Sequence, residues 1–197
     1  MAIAQSIEAF LKQHAVDYEL INHPRSVSST HTAEAAHVPG DQLAKSVLLE
    51  DEAGYLMAVI PSTQHVDLGK LHHRLRRRVG LAIEREVVEL FPDCDPGAIP
   101  AIGPAYRVAT IIDDALLDEP DVYFEAGDHE ALVHVSGQAF GAMMAKARQA
   151  REGDRERVAI VVGEDDERPE EVVPRGEERE DRERDEDGAQ EGKDDSP

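Results

Sequence analysis

Ile3, Ile7, Phe10 and Leu11 recur at the spacing that lays apolar side chains along one side of a helix, so residues 3–14 predict an amphipathic opening helix. Residues 18–23 predict a short strand, stopped by Pro24, which lacks the backbone donor that a strand needs. The hydroxyl-rich run 26–32 offers an N-cap to a short helix over 33–38, which Pro39-Gly40 ends. Residues 43–50 and 55–60 read as strands joined by Asp51-Glu-Ala-Gly54, a hairpin. Asp67 caps a helix carrying Leu68, Leu71 and Leu75, a basic run follows (Arg74, Arg76, Arg77, Arg78), and a second short helix spans 84–90. The stretch 91–104 holds too many Pro and Gly for a helix or a strand and reads as a loop. Three more strands follow over 107–112, 121–125 and 131–135, and Ser136 caps a last helix with Phe140, Met143 and Met144 on its apolar side. Hairpins as well as helices connect the strands, so the pattern is mixed α/β.

From Arg151 onward charge is dense, aromatics vanish, and only 158–162 is apolar. Such a segment cannot bury enough surface to offset chain entropy. The expected organisation is one folded domain over 1–150 and a mostly disordered acidic tail over 151–197, with 158–162 as an extra edge strand or docking patch. Residues 151–197 carry 20 acids and 9 bases and residues 1–150 carry 22 and 12, so the net charge of −21 divides into −11 and −10. The folded part is therefore acidic by itself, which disfavours nonspecific nucleic-acid binding; DNA is not an expected partner and any contact with a nucleic acid has to be local. Cys94 is the single cysteine, which excludes an internal disulfide and fits a reducing compartment. The first ten residues lack the basic start and long apolar run of a signal peptide, and no stretch reaches the roughly 18 apolar residues of a membrane span. A soluble, cytoplasmic protein without a membrane partner is expected.

Lys45 is the most informative residue. Alternation along 43–50 puts it on one side of the strand with Leu43, Val47 and Leu49, among apolar neighbours. A desolvated ammonium is costly, so a lysine placed there needs something polar to meet; the alternative is that its stem snorkels to water at a strand end. The loop over 95–103 is the second candidate, because glycine lets a ligand come close to backbone amides that can bind a carbonyl or an oxyanion. His31, among hydroxyls at a helix start, is a further pocket candidate. The nine histidines form no metal-ligand motif, and no Gly-x-Ser-x-Gly elbow, Walker loop or dinucleotide fingerprint is present. The serines of 26–29 read as loop and cap residues, so a nucleophile triad is not supported.

The succession Ser29-Thr-His-Thr-Ala-Glu-Ala-Ala36, Leu43-Ala-Lys-Ser-Val-Leu-Leu49, Asp95-Pro-Gly-Ala-Ile-Pro-Ala-Ile-Gly103 and Val122-Tyr-Phe-Glu-Ala-Gly-Asp-His129 resembles the YbaK and prolyl-tRNA-synthetase-associated editing family, over roughly residues 1–148 and in the family's order. The resemblance implies a barrel-like mixed sheet flanked by helices, and hydrolysis of the ester that joins a wrong amino acid to tRNA. The implied partners are mischarged aminoacyl-tRNA and an aminoacyl-tRNA synthetase; no metal or organic cofactor is implied. By the same resemblance Lys45 positions the substrate, the loop Gly97, Ala98, Ile99, Pro100 with Gly103 just beyond binds it, and water or the terminal ribose hydroxyl attacks; His31 and Ser46 are further substrate-binding candidates from their own positions in the chain. Two positions depart from some alanine-specific relatives: Ser46 stands where they carry Asn, and Glu125 near where they carry His, so the amino acid removed is not implied. A noncatalytic binding module on the same fold, or a hydrolase of another small ester, remains as an alternative function.

Overall fold

The computed structural model describes residues 3–149. The acidic tail and its apolar run 158–162 lie outside the described residues. Helix α1 (Gln5–Gln13) buries Ile7 and Leu11, as the spacing predicts. It begins after Ala4, whose N–H is held by the Ala126 carbonyl at 2.7 Å, while the Asp93 carboxylate accepts the N–H of Ser6 at 2.8 Å. Strand β1 (Glu19–Asn22) precedes α2 (Ser29–Ala36), which starts earlier than the sequence suggests because Ser28, not a later hydroxyl, is the N-cap. The predicted hairpin is β2 (Leu43–Asp51) and β3 (Gly54–Pro61). Helix α3 (Leu68–Leu75) is capped by Asp67, and α4 (Glu84–Leu90) follows. Strands β5 (Ala109–Ile112), β6 (Asp121–Glu125) and β7 (Ala131–Ser136) lead into α6 (Gly137–Gln149). Three short pieces escape sequence reasoning, because none is long enough to show a period: β4 (Gly80–Leu81), a 3-10 turn (Gly103–Tyr106) and α5 (Ala115–Asp118).

The strands form one sheet in the order β1-β7-β6-β2-β3-β5, with β4 also on β2. Pairing is parallel between β2 and β6 and between β3 and β5, and antiparallel elsewhere. The sheet is mixed and flanked by helices, as expected, but it stays open, which corrects the barrel-like expectation. Closure would require β1 to meet β5, and among the described residues each of these four-residue strands pairs only inward, with β7 and β3 respectively.

Alternation sorts the strand residues between two sides. On one, Ala44, Leu48, Met57, Val59, Ile112, Val122, Phe124, Val133 and Val135 build the main core with α1, α6, Phe91 and Ile102. Phe91, Phe124 and Phe140 are fully buried there, each contributing roughly 1.5–3 kcal/mol. The other side carries two smaller clusters. Ala33 of α2 packs with Leu43 and Leu132, and Leu71 of α3 with Leu49, Leu56, Ala58 and Ile60. Lys45 lies on that side of β2, between Leu43 of one cluster and Leu49 of the other.

Candidate active site

One edge of β2 is paired with β3 from Ala44 to Asp51 without a break. The opposite edge is shared: β6 pairs with Leu43 and Ala44, β4 with Leu49 and Glu50, and over Lys45 to Val47 no described strand is paired. The loop that carries Gly97 to Pro100 comes to this gap, and the Ser46 hydroxyl donates to the Ile99 carbonyl at 2.8 Å. The result is a small, partly open recess of about 30 Å³, lined by Ser29, Leu43, Ala44, Lys45, Ser46, Gly97, Ile99 and Glu125.

Lys45 is half-buried, with Nζ donating to the Ser62 carbonyl at 3.2 Å, just past the end of β3. That carbonyl sits in a braced corner: the Ser62 N–H donates to the Leu43 carbonyl and its hydroxyl to the Gly40 carbonyl. The polar group that a lysine on the apolar side requires is thus a backbone oxygen at the rim. Glu125 shares this side of the sheet. β2 and β6 run parallel in the register Leu43 to Tyr123 and Ala44 to Phe124, and the next position along each strand is Lys45 and Glu125. Glu125 Oε1 accepts from the Thr32 hydroxyl at 3.4 Å, whereas Oε2 is buried without a hydrogen-bond partner. Burial raises its carboxyl pKa to about 7; the Thr32 bond opposes this and the nearby Asp128 charge adds to it.

The loop is tied to the β6–β7 turn rather than free. Asp95 N–H donates to the Gly127 carbonyl at 2.8 Å, the Asp95 carboxylate pairs with Arg25 at 3.1 Å, and His129 bonds the Pro96 carbonyl through Nε2 at 2.8 Å. Gly97 has φ +88°, a conformation that favours glycine, and a Cβ there would stand 3.3 Å from the His129 ring. The Ala98 N–H is already taken by the Asp95 carbonyl at 3.0 Å.

Of the candidates from the sequence, Lys45, Ser46, Gly97 and Ile99 line the recess together. Ala98 and Pro100 are buried in the same loop, supporting it from behind. Gly103 lies away from the recess, against Thr110, Val108 and Met57, where its lack of a side chain serves packing. His31 is exposed on α2 and is not among the lining residues; only its backbone N–H acts, on the Ser28 hydroxyl. Glu125, Ser29 and the supporting Thr32 and His129 were not among the candidates. For Glu125 the signal was available: in 121–125 it alternates with Val122 and Phe124, which puts a carboxylate on the same side as Lys45 once the strands are known to be neighbours. The basic run at the end of α3 is at the far end of β2, where Arg77 pairs with the buried Asp51 at 2.8 Å. Cys94 is no nucleophile at neutral pH, since burial pushes its thiol up to about 12.

Several solved structures share the fold. A protein described as a candidate trans-editing enzyme for prolyl-tRNA synthetase is 22% identical, with a TM-score of 0.63, and the match covers 74% of this chain and 93% of that one. A scaffold protein used for epitope backbone grafting gives 22% identity and a TM-score of 0.63 over 72% and 92%. A hypothetical protein gives 23% and 0.62 over 72% and 95%. No curated protein sequence matches at a significant level. Residues 23–141, more than half of the chain and including every lining residue of the recess, match the sequence model of the aminoacyl-tRNA editing domain, and this protein belongs to that family.

Proposed function

We propose that the chain is an aminoacyl-tRNA deacylase, hydrolysing the ester between a wrongly attached amino acid and the terminal ribose of its tRNA. The observation that carries this reading is the meeting of Lys45 and the Gly97 loop in one recess of mixed polar and apolar lining. The tRNA body is far too large to enter, so the aminoacyl group does. Lys45 shifts its ammonium from the Ser62 carbonyl to the ester carbonyl or a terminal phosphate, and the Gly97 amide, with no Cβ to hold the substrate away, faces the oxygen on which charge develops.

The lining includes two serines and no histidine, so neither serine has an imidazole base in the recess. Water attacks the carbonyl carbon, with the neighbouring ribose hydroxyl able to hydrogen-bond it; the bond to the ribose oxygen breaks, that oxygen takes the proton the water gives up, and the free amino acid leaves. The structural relative suggests tRNA for proline as the first to test and prolyl-tRNA synthetase as a partner. The test is to charge this tRNA and several others with a panel of wrong amino acids and follow ester loss with and without the protein. Catalysed loss from at least one pair is expected; rates equal to spontaneous hydrolysis throughout the panel would reject the reading.

A further inference from the structure

We infer that Glu125 selects the amino acid removed, and that the preferred substrates carry a small hydroxyl-bearing side chain, seryl or threonyl, over their apolar counterparts. The inference rests on the deacylase reading above. Its basis is an unmet need: Oε2 of Glu125 is buried without a partner while the same carboxyl lines the recess that the aminoacyl group must enter. A buried polar oxygen left unpaired is costly, and a ligand that supplies its partner gains by that amount. A methyl group cannot do so. The recess is also small, and Leu43, Ala44 and Ile99 wall it with apolar surface, which suits a short side chain.

Two donors of the substrate compete for Oε2, the side chain and the α-ammonium. The second is disfavoured here. Lys45 lies one strand away in the same recess and repels an ammonium, and the nearby Asp128 charge adds to burial in holding the carboxyl partly protonated near neutral pH. A protonated carboxyl has a donor to offer as well as an acceptor. A hydroxyl can both accept from the protonated carboxyl and donate to either form, whereas an ammonium can only donate and gains most from the ionised one. Thr32 is neutral, and its single hydroxyl proton is shared between the Ser28 carbonyl at 3.0 Å and Oε1 at 3.4 Å, so Oε2 is the carboxyl oxygen without a partner.

The test compares one tRNA body charged with serine, alanine, threonine or valine, hydrolysed by the wild type, Glu125→Leu and Glu125→Gln, with thermal melts confirming that each variant is folded. A site built to bond a hydroxyl should favour seryl over alanyl and threonyl over valyl by at least about tenfold in kcat/KM. Glu125→Leu should bring both ratios to about one or below, and Glu125→Gln, which keeps an acceptor and a donor, should retain part of the preference. If Leu does not fold, the Gln ratios decide. Unchanged ratios in a folded variant, or a wild type that prefers alanyl, would overturn the inference and leave the deacylase reading standing. An equal loss on all four substrates would place the carboxyl on the α-ammonium and overturn it too. A wild type inactive on every mischarged tRNA would reject the underlying reading instead.

Discussion

The two edges of β2 are made from the same residues and do opposite things. Toward β3 the ladder is continuous for eight residue pairs, and some side chains along it, Leu49 and Leu56 among them, are fully buried. Toward the other edge the partner strands are two, β6 and β4, and they leave a gap at Lys45 to Val47 that a loop enters. A continuous ladder satisfies backbone groups and excludes water. An interrupted one leaves room for a ligand, and the polar side chains of the chain's chemistry gather there. The contrast teaches that the recess is a consequence of how the strands are shared, not of a special sequence in β2 itself.

The sharpest way to break the contrast is to substitute on each edge separately. Lys45→Ala should lower kcat/KM by about 10²–10³-fold, on the scale of losing one group that stabilises the transition state. Its unfolding free energy should change by no more than about 1 kcal/mol, because the cost of half-burying the ammonium disappears with it. Lys45→Arg should fold and remain strongly impaired, since a planar fork replaces a compact ammonium. Leu56→Ala on the paired side should do the reverse, costing about 2–5 kcal/mol while activity per folded molecule persists. Denaturant melts and deacylation assays on the three variants read both quantities; a Lys45→Ala protein with wild-type rates would remove the lysine from the mechanism.

The two glycines at the ends of the 97–103 loop sharpen the contrast next. At Gly103 an added Cβ would meet the Thr110 hydroxyl at 2.0 Å and the Val108 carbonyl at 3.1 Å, so Gly103→Ala should destabilise by about 1–3 kcal/mol or more. At Gly97 the added Cβ has only the His129 ring nearby, and the cost is mainly that of the left-handed backbone, about 1–2 kcal/mol. Gly97→Ala should nevertheless lose more activity per folded molecule than Gly103→Ala. The opposite ranking would mean that the Gly97 end does not approach the substrate.

Glu125 gives a pH signature. Its pKa is raised from 4.5 to about 7 by burial, so between these values the folded state holds a proton that the unfolded state has released. Stability tied to Glu125 is therefore fully present below about pH 4.5, falls as pH rises toward 7 and is then level; the whole change is about 3 kcal/mol. Glu125→Gln should flatten that part of the stability profile, and an identical profile would show that the carboxyl is not desolvated. The smallest effect belongs to Ser46→Ala, which removes the bond to the Ile99 carbonyl and should cost about 1 kcal/mol, with a modest loss of activity as the loop loosens. Equal stability and rates in the variant would show that the loop is held by its ties to the β6–β7 turn alone.

Local periodicity and punctuation determined most of the elements by themselves: the opening helix, the β2–β3 hairpin, the Asp67 and Ser136 caps, and the position of Lys45 on the side of Leu43 and Leu49. These depend on neighbours within one turn or one strand, so they are written in short stretches of chain. What the sequence could not disclose was long-range. The open rather than barrel-like sheet follows from β1 and β5 never meeting, and β4 is too short to show a pattern. The separation of Gly97 from Gly103, and of His31 from the recess, follows from which surface each packs against. Lys45 and Glu125 line one recess only because β2 lies parallel to β6, which brings together residues eighty positions apart in sequence. Such contacts are set by burial and by the register of distant strands, and no local pattern encodes a register between strands whose adjacency is not yet known.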